Sequence, residues 1–151
     1  MINMLSDSGL QIIEATAFVH PQWSPQLADS SEVFGTINRK PGVIYTALLP
    51  NLKGLEKAID ANLQEVSVFM SSSQSHNKKN LNRTIEESLE IVKDVVNKAK
   101  ENNIKIRAYL STVFGCPYEG RVSISKVKEI VKKILSFGVY EISLGDTIGI
   151  D

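Results

Sequence analysis

The chain has 151 residues, 42% of them hydrophobic and 23% charged, with 17 basic side chains against 17 acidic ones. This is the composition of a soluble globular protein of one-domain size, and the absence of a basic excess argues against nucleic acid or an anionic membrane as partner. The single cysteine, Cys116, excludes an internal disulfide and fits a reducing compartment. No apolar run approaches the ~18 residues of a membrane span. The opening MINMLSDSGL has neither the charged start nor the apolar stretch of a secretion signal, so a cytoplasmic location is expected.

Short β-branched and apolar runs alternate with helical periodicity. Residues 10–16 (LQIIEAT) read as a buried strand, and a weak helix is predicted over 30–38. Residues 43–49 (VIYTALL) form the next strand, and Asn51 is placed to cap a short helix that turns Leu55, Ala58 and Ile59 inward. A third strand covers 65–70 (EVSVFM), followed by a polar run, 71–80 (SSSQSHNKKN), expected to be a long substrate loop. Thr84-Ile85-Glu86-Glu87 has the form of a capping box. Apolar residues at 85, 89, 92, 96 and 99 then lay one stripe along a helix that ends near Lys98 and Lys100. Residues 104–111 (IKIRAYLS) give a fourth strand, 125–136 a helix stopped by Gly138, and 140–144 a fifth strand. No linker or low-complexity segment interrupts the pattern, so residues 1–151 are read as one domain.

Alternating strands and helices imply a parallel sheet with crossovers. Two architectures satisfy the pattern: an open, doubly wound five-stranded sheet, and five consecutive units of a (β/α)8 barrel. Both put functional groups at the carboxyl ends of the strands.

Those ends are polar. A carboxylate inside LQIIEAT needs a partner or a cavity, because burying it bare costs several kcal/mol. Glu14 is therefore either half of a structural ion pair or a group facing a cavity. Asp146 directly follows the fifth strand and is either a turn cap or a functional acid. Arg107, Tyr109 and Ser111 share one parity and so one face. An inward arginine requires an acid, for which Glu14 and Asp146 are both candidates. The two histidines, His20 and His76, have no second ligand at metal spacing. Cys116 has no His-Asp arrangement beside it and reads as a small apolar residue.

The ordered segments IIEATAFVHPQW, PNLKG, KKNLN, TIEES, GCPYEG and YEISLGDTIG resemble the 3-hydroxy-3-methylglutaryl-CoA lyase family, within the DRE-type TIM-barrel metallolyases. The resemblance runs the length of the chain and implies a partial (β/α)8 barrel: an incomplete lyase domain of the pyruvate carboxyltransferase type, covering barrel strands two to six. A whole barrel of this kind has about 250 residues.

The implied reaction is the retro-Claisen cleavage of HMG-CoA to acetyl-CoA and acetoacetate with Mg²⁺ or Mn²⁺, in leucine breakdown or ketone-body formation. The family's Arg-Asp pair, His-x-His pair and late asparagine have no counterpart in this sequence. Metal ligands are therefore expected to be absent, and the chain by itself is not expected to be competent.

By resemblance, Glu14 and Asp146 are the catalytic positions. Phe18, Tyr109 and Thr147 lie beside the substrate, and Lys79 and Asn80 lie along the CoA portion. Ala17, Leu49 and His20 depart from the residues usual in the family. The implied partners are HMG-CoA and either a second copy or a complementing chain. The alternatives are a non-catalytic remnant or association module of a shortened gene, and an open α/β domain that binds an acyl-CoA-like ligand without cleaving it.

Overall fold

The computed structural model describes residues 1–150. A five-stranded parallel sheet is formed by β1 (Ile12–Ala17), β2 (Ile44–Leu48), β3 (Glu65–Ser71), β4 (Lys105–Ser111) and β7 (Glu141–Leu144), in that spatial order. Two short strands, β5 (Gly115–Cys116) and β6 (Gly120–Arg121), make an antiparallel hairpin between β4 and β7. The helices are α1 (Ile2–Asp7), α2 (Ser30–Thr36), α3 (Leu52–Asp60), α4 (Gln74–Leu81), α5 (Ile85–Glu101) and α6 (Ile124–Phe137).

The strand order decides between the two architectures. A doubly wound sheet reverses its order at a switch point; here each large strand lies next to the one before it in the chain, as in a barrel wall. Parity gives the same answer. Ile13, Tyr45, Ala47, Val66, Val68, Met70, Ile106, Ala108 and Leu110 form one apolar face. That face is covered by Leu55 and Ala58 of α3, Leu89, Val92, Val95, Val96 and Ala99 of α5, and Ile130 and Ile134 of α6. The opposite parity carries Glu14, Thr46, Glu65, Ser67, Arg107, Tyr109, Glu141 and Ser143. A sheet with its helices on the apolar face and polar side chains on the other is a segment of a barrel wall seen from inside.

Local signals hold where they are strong. Thr84 Oγ1 accepts from the Glu87 amide at 3.1 Å while Glu87 Oε2 accepts from the Thr84 amide at 2.7 Å, closing the capping box. Asn51 Oδ1 accepts from the Gly54 amide at 3.1 Å at the start of α3. Gly138 ends α6 with φ +102°, in the left-handed region that lacks a penalty for glycine. The expected loop over 71–80 is corrected: Ser73 caps a helix, its hydroxyl accepting from the His76 amide at 3.1 Å. The hydrophilicity of QSHNKKNL hides that helix from any periodicity test, since α4 buries little beyond Asn77. Among the described residues no helix is long and apolar enough to cross a membrane.

Candidate functional site at the carboxyl ends of the strands

The polar face is divided along the strands. Near the amino ends, Glu65 is buried and accepts a short hydrogen bond from the Tyr140 hydroxyl. Arg107 Nη2 donates to Glu141 Oε2 at 3.2 Å on the neighbouring strand. Arg107 therefore finds its acid in Glu141 rather than in Glu14 or Asp146, a correction to both candidates. Parallel register sets Arg107 directly beside Glu141, whereas Asp146 follows the end of β7 and Glu14 is bonded by Tyr109. Burial opposes the guanidinium charge, but the Tyr109 and Tyr140 side chains and the Glu141 carboxylate hold it protonated above its ordinary range. Arg107 Nε keeps no hydrogen-bond partner among the described residues.

Toward the carboxyl ends, Glu14 is exposed on the open face and has no ion-pair partner among the described residues, which corrects the structural ion pair. A bulge in the β1–β2 register falls immediately after Glu14. The Tyr109 hydroxyl donates to Glu14 Oε2 at 3.2 Å, across the two intervening strands β2 and β3. This bond brings together two of the residues singled out from the sequence. It needs a concave face, because β1 and β4 are not neighbours.

The end of β7 is built into a turn. Asp146 Oδ1 accepts from the Gly149 amide at 3.1 Å, and Thr147 Oγ1 accepts from the Thr112 amide at 2.7 Å. Asp146 is thus a turn cap at the mouth of a strand, half-buried beside Thr147. Phe18 lies elsewhere: its ring is buried and tilted against Phe34 at 5.7 Å, under the Arg39 guanidinium.

The β5–β6 hairpin, which carries GCPYEG, closes over the start of α4. Ser73 Oγ donates to Cys116 Sγ at 2.9 Å, and the Tyr118 amide donates to the same sulfur at 3.3 Å. Cys116 is buried. Burial pushes its thiol up, but the Ser73 hydroxyl and the Tyr118 and Glu119 amides outweigh that and leave it below its usual value. Glu119 Oε1 accepts from the Ser75 amide at 2.6 Å, which holds its carboxyl below the ordinary carboxylate range despite partial burial. Lys79 Nζ stands 3.9 Å above the Tyr118 ring, a cation–π contact, and His76 packs near the same ring. Asn80 is exposed in the next position of α4. Sequence reasoning missed Tyr118 as the platform under Lys79. The aromatic in the glycine-flanked CPYE turn was the available signal.

Among the described residues no group of three or more His, Cys, Asp and Glu side chains converges to hold a metal ion. Glu14 and Asp146 therefore do not fit a metal site by themselves. What the face offers is a hydrogen-bonded carboxylate, a second acid in a fixed turn, and a cation on an aromatic support at the rim.

The whole chain, residues 1–151, matches the family model described as HMGL-like. It is 54% identical over 150 residues to a mitochondrial hydroxymethylglutaryl-CoA lyase of Gallus gallus, an alignment covering 99% of this chain and 50% of that one. The crystal structure of an HMG-CoA lyase from Brucella melitensis superposes with a TM-score of 0.97 at 47% identity, covering 99% of this chain and 53% of that one. An HMG-CoA lyase from Acinetobacter baumannii in complex with coenzyme A and 3-methylmalate superposes at 0.94 with 38% identity, covering 99% and 49%. The chain spans about half the length of the relatives it matches.

Proposed function

The chain belongs to the HMGL-like family, and we propose that residues 1–151 supply part of a barrel domain that cleaves HMG-CoA to acetyl-CoA and acetoacetate. The observation that carries this reading is the placement of the family-like acids on the open face at the carboxyl ends of the strands, Glu14 bonded to Tyr109 and Asp146 in its turn.

The reaction moves one proton and one bond. A base takes the proton of the tertiary hydroxyl at C3. The C2–C3 bond breaks, its electron pair becoming the thioester enolate, and C3 becomes the ketone of acetoacetate. A proton delivered to C2 completes acetyl-CoA. On this reading Asp146 acts at the reacting centre, and its turn is held by the Gly149 amide and the Thr147 tie. Glu14 is oriented by the Tyr109 hydroxyl and adds negative potential to the same face. Lys79, supported on Tyr118, suits an anionic stretch of the CoA portion, with Asn80 beside it. Thr147 completes the acyl side, whereas Phe18 is buried against Phe34 and takes no part on the open face. The Mg²⁺ or Mn²⁺ implied by the resemblance finds no ligand set among the described residues, so its chemistry is assigned to none of them.

The test is acetoacetate release from HMG-CoA with Mg²⁺ or Mn²⁺, on the chain alone and with polypeptides that complete the barrel. Release from the completed barrel, reduced by about 10²-fold or more in Asp146→Asn, is expected of a lost acid–base group. A soluble completed barrel that releases nothing sinks the proposal and favours the non-catalytic remnant.

A further inference from the structure

Thr112 is tightly constrained at the carboxyl end of β4. It is fully buried, directly follows β4, and has φ +61°. A β-branched residue in the left-handed region is an outlier that persists only where its surroundings over-determine it. Here they do. Its hydroxyl donates to the Ser111 carbonyl at 2.6 Å and accepts from the Ser73 amide at 3.2 Å. Ser72 Oγ lies 3.2 Å from that hydroxyl and donates to the Thr112 carbonyl at 2.9 Å. Apart from the bond to its own neighbour Ser111, these tie Thr112 to the end of β3. Its own amide points the other way and donates to Thr147 Oγ1 at 2.7 Å.

The Ser111 carbonyl faces β3 and accepts the Ser72 amide, while the Leu110 carbonyl faces β7 and accepts the Gly145 amide. Alternation carries the Thr112 amide to the β7 side, where it meets Thr147 Oγ1 rather than a further strand carbonyl. The hydroxyl network on the β3 side pins the residue whose amide makes this bond. The residue that receives this bond is adjacent to Asp146.

We infer that Thr112 is a positioning residue: its hydroxyl fixes a strained backbone whose amide anchors Thr147 and so sets the Asp146–Thr147 turn. The catalytic consequence rests on the lyase reading above; the structural link does not. The strain is held in place by Ser72 and Ser73 at the end of β3, so the turn after β7 is registered to a strand two places away in the sheet.

Three substitutions test it. Thr112→Val keeps the shape and removes the hydroxyl. Thr112→Ser keeps the hydroxyl. Thr147→Val removes the acceptor at an exposed position, where the fold is not at risk. The first measurement is amide exchange and chemical shift by NMR at position 112 and over 145–149, on the chain itself. Thr147→Val and Thr112→Val are each expected to speed exchange of the amide at 112 by about tenfold or more, as for an amide opened by local unfolding, and to shift the 145–149 resonances. Thr112→Ser is expected to restore both, with the α5 amides of Val95 and Val96 unmoved in all three. Unchanged exchange at 112 in Thr147→Val, or unchanged 145–149 resonances in a folded Thr112→Val, overturns the inference. If Thr112→Val does not fold, Thr147→Val decides the matter alone.

The second measurement is cleavage kinetics in the completed barrel. There Thr112→Val is expected to lower kcat by up to about 10²-fold, the scale of a misplaced reacting group, with KM nearly constant and Thr112→Ser restoring the rate. A barrel inactive with threonine in place refutes the lyase reading while the exchange result still judges the link. An active barrel whose kcat ignores Thr112→Val overturns the positioning role.

Discussion

Gly54 fixes how closely α3 can approach the strand ends. A methyl group at this position would lie 2.8 Å from Leu49 Cβ and 3.1 Å from the Phe18 carbonyl oxygen. Neither neighbour can retreat easily, since Leu49 is fully buried and Phe18 nearly so. Gly54→Ala is therefore expected to destabilise by about 1–3 kcal/mol, read as a fall in Tm of about 2–4 °C per kcal/mol. Asn77 is fully buried and uses its whole amide: Oδ1 accepts from the Ser71 amide, and Nδ2 donates to the Arg83 and Thr84 carbonyls and to Ser88 Oγ. Asn77→Asp preserves the acceptor but sets a carboxylate against two carbonyls. It is expected to destabilise at least as much as Asn77→Ala, which leaves buried groups unpaired at about 1–3 kcal/mol each; denaturant midpoints measure both. Glu119 gives a pH dependence. Its folded carboxyl lies below the unfolded value, chiefly because it accepts the Ser75 amide. The tether therefore contributes above the unfolded pKa and is lost as pH falls through the folded one. The Ser75 amide resonance is expected to follow that acid transition, and Glu119→Gln to abolish it.

Elements were legible where one signal was strong and local. The capping box at Thr84 and the apolar stripe behind it define α5, and Thr84→Ala is expected to lower stability by about 1 kcal/mol in chemical denaturation. The five strands were legible for a different reason: a sheet covered on one face and lining a barrel on the other keeps apolar residues at alternate positions and tolerates polar ones between. Strand β4 shows it, with Ile106, Ala108 and Leu110 under the helices and Arg107, Tyr109 and Ser111 on the other side. Helix α4 was not legible, because it is held by a serine cap, a buried asparagine and a hairpin from 40 residues further on rather than by an apolar stripe. The partner of Arg107 was equally hidden. It depends on β4–β7 register, which no local pattern encodes. Of the site, Glu14 and Tyr109 could be named from their strands, but their meeting depends on curvature of the sheet. Thr112 carried no signal at all, since left-handed backbone at a threonine contradicts its propensity.

At the scale of the molecule, sheet order resolved what strand patterns left open, and it also leaves two edges. Strands β1 and β7 each have a sheet neighbour on one side. Beside β7 lies a groove of about 800 Å³ lined by Phe114, Ile124, Val127, Val131, Leu144 and Ile150. Several of these are well exposed, Ile124 at 72% and Leu144 at 53%. Near the other edge Met4 is 76% exposed and Ile12 37%. Unpaired edges are templates for pairing, and contiguous apolar surface favours association. The chain by itself is therefore expected to self-associate. Sedimentation velocity should give a mass above the 16.7 kDa of one chain, rising with concentration. Leu144→Lys places a charge on the β7 edge and in the groove together, and is expected to shift the distribution toward the monomer. The same substitution should leave the α5 core protected in amide exchange, because Leu144 is half-exposed and α5 packs on β3 and β4. A single cooperative monomer at all concentrations would mean that the edge and groove are satisfied within one chain, and the association argument would fail.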